Sequence, residues 1–429
     1  MKFLLVLASS TILWAQPQAM DALSQPDSAP ASLEGGNPTV DANVNSRYTV
    51  ESVGVLNFRR YHLSQTLIHD MQHLVGARFN TDVFQNFAQR ISTELHGYQV
   101  TFKLARGTEP GNIRVTFEVK APENGFDIDM PMGLYNSKQG WSGEGDAVIR
   151  AGANEFLFGA LSNGDSFIDR VSGIRARYDR VGLGSDRVRV GFEYDNFHDE
   201  YNSATQLAAS RENDLTGLYR SRQNFEPSAT VVIAAPLTLT VGMSFEKLDP
   251  QFSETGPESS NAVVSSLQYH TEWSDSSTGR HRFEAAYHLR SATTFFGSAF
   301  AYTKHVVDVS YHWKHGRQTA EGTFQAGIIA GQAPLFDRFA LGTSTTLRGW
   351  NKFDLDPLGG TRVVCGSVGY GYGRMRAFFD SGSVWDSGRR AQPKASAGVG
   401  VKVEGILLAV AFPFRNERVE PVLIAGMNF

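Results

Sequence analysis

The sequence predicts an all-β transmembrane barrel of about 16 antiparallel strands, preceded by one small α/β unit with the order β-α-α-β-β. Three observations carry this prediction. A charged and apolar leader begins the chain, a short region of helical periodicity follows, and strand-like alternation then continues from about residue 126 to the last residue. Long alternating segments behind an export signal are typical of a barrel that crosses a membrane with strands.

The composition excludes several classes of function. The 429 residues carry a formal net charge of -4, which provides no basic surface for nucleic acid. The 42 glycines and 29 phenylalanines fit a barrel, because barrels use glycine at bends and aromatic side chains at the membrane interfaces. Cys365 is the single cysteine, so the chain forms no intramolecular disulfide and no cysteine-based metal cluster.

The first 46 residues are predicted to contain a signal and a linker. In residues 1–15, Lys2 precedes an apolar run that is too short to span a membrane, which is the pattern of a secretory signal peptide. Cleavage is expected after Ala15 or Ala19, and the alternative is a buried first helix. Residues 16–46 are rich in Pro, Ser, Ala, Asn and Gly, and they are predicted to form a disordered linker.

Residues 47–121 are predicted to form the small α/β unit. The expected elements are a strand at 47–53, helices at 63–74 and 80–95, and strands at 98–104 and 113–119. Val75-Gly76 ends the first helix, and either Asn80 or Thr81 caps the second. The segment from Gly107 to Gly111 supplies the turn between the last two strands.

Residues 126–429 are predicted to form the barrel. Apolar and polar residues alternate clearly at 188–195, 237–246, 282–290 and 307–314. A soluble β-sandwich would alternate in the same way, but the export signal, the long segments and the last strand, which ends in Phe429, favour a membrane barrel. About ten strands can be delimited before residue 335 and five after residue 360. Because bacterial barrels have an even number of strands, we expect one merged strand near residues 292–302.

A specific motif lies between the last two groups of strands. A loop beginning at Pro334 contains Arg348-Gly349-Trp350, and a later strand contains Phe379-Asp380-Ser381-Gly382. This ordered set resembles the bacterial surface antigen superfamily of outer-membrane assembly factors and polypeptide transporters (BamA/TamA-like). The resemblance implies that the loop folds back into the lumen, that Asp380 receives Arg348 there, and that the α/β unit is a single polypeptide-transport-associated (POTRA) domain.

Strand parity supports the same ion pair independently. If Ala377 and Phe379 face lipid, Asp380 faces the lumen, where Arg348 can make a two-pronged, charge-assisted contact. The alternative is that the two residues are separate solvated charges. The chain also departs from the family pattern, since residues 362–368 lack the acidic residue often found there and Thr343 replaces a glycine.

The resemblance also implies a location and a function. The barrel would lie in the bacterial outer membrane with its N-terminal domain in the periplasm, and it would assist insertion or translocation of polypeptides. The expected partners are unfolded outer-membrane or secreted polypeptides, outer-membrane lipids and periplasmic accessory proteins. The POTRA-like domain would bind clients by strand addition, and the first and last barrel strands, near 126–135 and 420–429, would form a weakly paired seam.

Five residues are the predicted site in this interpretation, acting together as a latch in the lumen: Arg348, Gly349, Trp350, Asp380 and Gly382. The main alternative is a passive channel or structural outer-membrane barrel without client activity. A soluble adhesin-like sandwich is a more distant alternative.

No catalytic, metal or cofactor site is predicted. The sequence contains no Gly-x-Ser-x-Gly, His-Glu-x-x-His or P-loop motif, so an enzyme is not expected. His69 and His73 have the spacing of helical metal ligands, but they are better explained as surface histidines. The repeat Gly369-x-Gly371-x-Gly373 lies in a strand, where small residues at a barrel bend explain it better than a nucleotide loop does.

Overall fold

The computed structural model describes residues 47–429 except for 57–62, 96–97, 121–123, 164–168, 182, 184–186, 213–216, 235, 253–255, 276, 344, 404, 416–419 and 428–429. The predicted signal peptide (1–15), the predicted linker (16–46) and the aromatic last residue, Phe429, lie outside the described residues. Within the described part, a small α/β unit is followed by a closed β-barrel, as the sequence predicts.

The α/β unit has the predicted element order: β1 (Thr49–Val55), α1 (Gln65–Gln72), α2 (Thr81–Glu94), β2 (Gln99–Arg106) and β3 (Asn112–Lys120). Its described strands form a sheet in the order β1-β3-β2, with β1 parallel and β2 antiparallel to β3. Asn80 caps α2, because its side-chain oxygen accepts a hydrogen bond of 2.9 Å from the backbone N–H of Asp82. The apolar helix faces pack on the sheet around Phe84, Ile91 and Phe117, which are fully buried.

Across the described residues, seventeen strands close the barrel in sequence order. They are β4 (Gly125–Asn136), β5 (Gly140–Ala151), β6 (Asn154–Asn163), β7 (Arg170–Val181), β8 (Val188–Glu200), β9 (Tyr219–Ala234), β10 (Leu237–Pro250), β11 (Glu258–Ser259), β12 (Ala262–Asp275), β13 (Gly279–Ala292), β14 (Ala301–His315), β15 (Gln318–Gln332), β16 (Arg362–Tyr372), β17 (Met375–Trp385), β18 (Lys394–Val403), β19 (Ile406–Pro413) and β20 (Val422–Met427).

The predicted strand number is confirmed, but the position of the missing strand was wrong. Since β11 is a two-residue extension beside β10, the described barrel has sixteen long antiparallel strands, an even number. Eleven of them lie before residue 335 in the described chain, not ten. Residues 292–302 hold no extra strand, because they comprise the end of β13, the connection at 293–300 with a 3₁₀ turn at Thr294–Phe296, and the start of β14.

A helix in the connection between β8 and β9 was not predicted. Helix α3 (Ser203–Arg211) is capped by the Asn202 side chain, which accepts a hydrogen bond of 2.8 Å from the N–H of Ala204. Its buried residues, Thr205 and Ala209, are small, so the sequence lacks the apolar stripe by which a helix is recognised. None of the described helices is both long and apolar enough to span a membrane.

The alternation of the strands separates a lipid-facing surface from a charged lumen. Phe158 and Ile174 point outward and are 52% and 54% exposed. On the inner face, the guanidinium of Arg175 donates a hydrogen bond of 3.0 Å to the carboxylate of Asp195, and both residues are buried. A continuous apolar outer surface around a polar interior is the arrangement expected of a barrel embedded in a bilayer.

The α/β unit distinguishes the two ends of the barrel. Because β4 directly follows this unit, the turns β7–β8 and β12–β13 lie at the same end, here called the domain-side end. The unit contacts this end through its second helix, where Glu94 forms an ion pair of 3.0 Å with Arg187 and Gln89 donates a hydrogen bond to Glu272. The connection between β15 and β16, residues 333–361, therefore lies at the opposite, far end.

The barrel closes at a short seam between its first and last strands. Residues 133–136 of β4 pair with 424–427 of β20. By contrast, the pairing of β14 with β15 extends over the full length of both strands, from 301 to 315 and from 318 to 332. The seam therefore has fewer interstrand hydrogen bonds to hold it closed than a typical strand pair of this barrel.

Candidate functional site in the barrel lumen

The long connection at residues 333–361, here called the lumen loop, is folded into the barrel interior. Its base is closed by two reciprocal backbone hydrogen bonds of 2.8 Å between Phe339 and Gly360. Leu341, Leu347 and Leu358 of this loop are buried. Buried apolar side chains and paired backbone groups fix the loop as part of the barrel core.

The structure brings Arg348 of the loop and Asp380 of β17 into direct contact. The Nη2 and Nε atoms of Arg348 lie 2.6 Å and 2.8 Å from the two carboxylate oxygens of Asp380. The backbone N–H of Arg348 donates a third hydrogen bond, of 3.0 Å, to the same carboxylate. Asp380 is fully buried and Arg348 is 9% exposed, so the two residues are not separate solvated charges.

Two further residues of the barrel wall complete this contact. Ser367 of β16 donates a hydrogen bond of 2.7 Å to Asp380 and accepts one of 2.8 Å from Arg348. Ser367 lies in the strand that was noted above to lack an acidic residue. It was not predicted as a site residue from the sequence. The ring of Phe378 lies 3.6 Å from the guanidinium carbon of Arg348, which adds a cation–π contact.

The predicted glycines and Trp350 shape the loop around this pair. Gly349 has a φ of +91°, a left-handed conformation that favours glycine. Trp350 is 5% exposed, and its indole N–H donates a hydrogen bond of 2.9 Å to the carbonyl oxygen of Ala395 in β18. A Cβ atom at Gly382 would lie 2.9 Å from a methyl carbon of Leu341, so glycine is needed there for the loop to pack against β17.

A second buried charge cluster, which was not predicted from the sequence, holds the start of the lumen loop. The carboxylate of Asp337 lies 3.1 Å from Nζ of Lys304 and 3.5 Å from Nε of Arg290, and it accepts a hydrogen bond from the hydroxyl of Tyr302. Burial raises the pKa of Asp337, but the charges of Lys304 and Arg290 outweigh this effect and lower it below its ordinary value. The loop is therefore held by charges on β13 and β14 as well as on β17.

A third buried ion pair joins the lumen loop to the far-end connections. Lys352 of the loop forms an ion pair with Asp169, which precedes β7. Asp169 also accepts hydrogen bonds of 3.1 Å from the hydroxyl of Thr205 in α3 and of 2.6 Å from the N–H of Asn202. The unpredicted helix α3 is thereby connected to the loop that closes the lumen.

The fold and this site define a class, an outer-membrane β-barrel whose lumen holds a loop fixed by buried ion pairs. The model of the Omp85 superfamily domain matches residues 178–417, which is more than half of the chain. The chain therefore belongs to the Omp85 superfamily. The match includes the complete lumen loop and β17.

Solved structures show the same fold at low sequence identity. BamA from Haemophilus ducreyi lacking POTRA domains 1-3 is 14% identical, with a TM-score of 0.51 over 89% of this chain and 84% of that one. CdiB from Escherichia coli is 11% identical, with a TM-score of 0.53 over 89% and 76% of the two chains. CdiB from Acinetobacter baumannii is 10% identical, with a TM-score of 0.53 over 89% and 74%. A search of curated proteins found no match.

Proposed function

We propose that this protein assists the insertion or translocation of polypeptides at the outer membrane, with its α/β unit acting as a periplasmic POTRA domain that binds unfolded clients. The observation that carries the proposal is the combination of a short seam with an occupied lumen. A client could leave or enter sideways where β4 and β20 pair only through 133–136 and 424–427. The lumen loop meanwhile holds the rest of the barrel closed, with the Arg348–Asp380 pair acting as its latch.

The sheet of the α/β unit supports client binding at one particular edge. The outer edge of β1 is already covered, because Val50 exchanges backbone hydrogen bonds with Gly76 and Ala77 at 2.8 Å and 3.0 Å. On the other edge, β2 pairs with no described strand besides β3, and Thr101 and Lys103 of β2 are exposed. An extended client segment can add to β2 through main-chain hydrogen bonds, which are independent of client sequence.

Site-specific photo-crosslinking tests this assignment. A photoreactive residue at Thr101 on β2 is expected to capture unfolded barrel clients, whereas the same residue at Ser52, which is exposed on the covered strand β1, is expected not to. Equal capture at both positions would refute binding at the β2 edge.

A disulfide across the seam tests whether it opens. Leu134 and Gly426 are partners across the seam, and Val307 and Ala326 are partners in the long β14–β15 pair. Cysteine at both members of the seam pair is expected to stop acceleration of client folding in liposomes until a reductant is added. The equivalent pair between β14 and β15 is expected to leave the activity unchanged. A fully active seam-locked protein would overturn lateral opening.

A comparison with empty liposomes separates this function from that of a passive barrel. We expect the reconstituted protein to accelerate the folding of outer-membrane clients over protein-free liposomes. No acceleration, together with a steady open conductance in planar bilayers, would instead support a passive channel.

A further inference from the structure

The repeat Gly369-x-Gly371-x-Gly373 has a structural role beyond a bend in the strand. A Cβ atom at Gly373 would lie 3.0 Å from Nη2 of Arg317, and one at Gly371 would lie 2.5 Å from Nη1 of Arg376. Gly373 also has a φ of +60°, which favours glycine in the tight turn from β16 to β17. Two glycines of the repeat thus leave room for guanidinium groups at the domain-side end of the barrel.

Arg317 belongs to a row of cations on neighbouring turns. The backbone N–H of Gly373 donates a hydrogen bond of 2.8 Å to the carbonyl oxygen of Arg317, and the N–H of Lys402 donates one of 2.7 Å to that of Arg374. The β14–β15 turn, the β16–β17 turn and the end of β18 are therefore joined side by side. Arg317, Arg374 and Lys402 are all exposed, and we call these three residues the basic rim.

Arg317 of the basic rim lies against the lipid-facing surface. The guanidinium carbon of Arg317 is 5.2 Å from the ring centre of Tyr372, which points outward from β16 and is 53% exposed. On β14, the outward-facing rings of Trp313 and His315 stack with their centres 6.3 Å apart. Outward-facing Tyr and Trp side chains at a strand end mark the depth of the lipid headgroups.

The charge of the basic rim is not neutralised by the described carboxylates. Elsewhere at the domain-side end, Arg150 is paired with Glu155 at 2.9 Å and Arg187 with Glu94 at 3.0 Å. In the part of the chain that the structure describes, Arg317 and Arg374 form no ion pair within 4.0 Å. A planar guanidinium presented at headgroup depth matches the bidentate geometry of a phosphate.

We propose that the basic rim, together with Tyr372, is a binding site for anionic phospholipid in the membrane leaflet on the domain side. The phosphate of the headgroup accepts hydrogen bonds from Arg317 and Arg374, and the acyl chains lie along the outer surface of β16 and β17 beside Tyr370 and Met375, which are 49% and 59% exposed. Bound lipid would fix the depth and tilt of this wall of the barrel in the membrane.

Native mass spectrometry of the full chain in detergent tests this site, with phosphatidylglycerol and phosphatidylcholine as probes. The wild type is expected to retain phosphatidylglycerol preferentially. Each cation near a headgroup changes affinity about fivefold, so Arg317→Gln with Arg374→Gln is expected to weaken phosphatidylglycerol binding roughly 25-fold. Arg317→Lys, which keeps the charge but cannot make the bidentate contact, is expected to retain more affinity than Arg317→Gln and less than the wild type.

A charge-matched control makes the result specific. Arg150→Gln with Arg220→Gln removes the same net charge from two paired arginines on other strands, and it is expected to leave phosphatidylglycerol binding unchanged. Heat-modifiable migration on gels verifies that each variant is folded. Three results would overturn the site: unchanged binding by the Arg317 and Arg374 double variant, an equal loss in the control, or full competition by soluble glycerol phosphate, which would indicate an anion site unrelated to the membrane.

Discussion

Replacing Asp380 with alanine removes the only carboxylate within reach of Arg348 among the described residues and leaves a guanidinium that is 9% exposed. Asp380 accepts three hydrogen bonds from Arg348, at 2.6, 2.8 and 3.0 Å. Removing one partner of a buried ion pair costs about 3–5 kcal/mol, because the other charge remains buried without compensation. The loop can escape this penalty by leaving the lumen, where Arg348 would be hydrated again.

We therefore expect Asp380→Ala to release the lumen loop before it unfolds the barrel. Trypsin should cleave after Arg348 in the folded variant but not in the wild type, and planar bilayers should show larger and more frequent open states. The double variant Arg348→Met with Asp380→Leu should return the conductance toward that of the wild type, since neither charge is then buried. Conductance is the readout for this variant, because a methionine at position 348 is not a trypsin site. Arg150→Gln, which removes an ion pair whose side chains are 41% and 39% exposed, should change stability by about 0–1 kcal/mol and leave the conductance unchanged.

Two outcomes would contradict this reasoning. If Asp380→Ala kept both the trypsin resistance and the conductance of the wild type, the pair would not restrain the loop. If the double variant conducted as much as Asp380→Ala, the shape of the two side chains and not their charge would hold the loop in place.

Three further expectations follow from other contacts. Gly382→Val should destabilise the barrel by about 1–3 kcal/mol in urea unfolding, because its Cβ would lie 2.7 Å from the Cβ of Cys365 and 2.9 Å from Leu341 of the loop. Gly256→Val, where nothing lies within 4 Å of the added Cβ, should matter less. Lys352→Met should lower the free energy of unfolding by about 3 kcal/mol in the same assay, because it removes the lysine from its buried ion pair with Asp169. A decrease below about 1 kcal/mol would argue against a structural ion pair. The side-chain hydroxyl and backbone N–H of Thr108 donate hydrogen bonds that lower the pKa of Glu51. The Glu51 carboxylate therefore stabilises the α/β unit fully above its ordinary pKa, and this stabilisation is lost as the pH falls through the lowered pKa. In Thr108→Val, a carbon-13 NMR titration should show the pKa of Glu51 return toward 4.5.

The sequence predicted the fold well where structure follows from local periodicity. The helices α1 and α2 and the long alternating strands each bury one face. Burial of one face requires a regular spacing of apolar residues, and this spacing is visible in a short window of the sequence. The boundary between β13 and β14 was misjudged, because Thr294–Phe296 continues the apolar character of the strands through a 3₁₀ turn. Helix α3 was missed for the opposite reason, since Thr205 and Ala209 fit a closely packed site without an apolar stripe.

The candidate site was predictable only in part for a related reason. Arg348 and Asp380 could be paired because parity places Asp380 in the lumen and a recognisable motif places Arg348 there. Ser367 could not be found, because a serine in a strand carries no distinguishing chemistry. The Lys352–Asp169 pair joins residues 183 positions apart, and only closure of the barrel brings them together.

The distribution of the anchors on the wall connects the loop to the seam. Asp380 lies on β17, Lys304 and Arg290 lie on β14 and β13, and Asp169 precedes β7. These contacts bridge the lumen between walls that do not include the seam strands β4 and β20. The loop's hydrogen bond from Gln139 to Gly342 and its ion pair between Asp354 and Arg415 reach only the connections beside those strands. Since the bridging contacts connect other strands independently of the seam closure, the seam opening proposed above would leave those strands in register. A loop fixed only to β4 or β20 would have to detach whenever the seam opened, and the latch would then oppose client passage instead of permitting it.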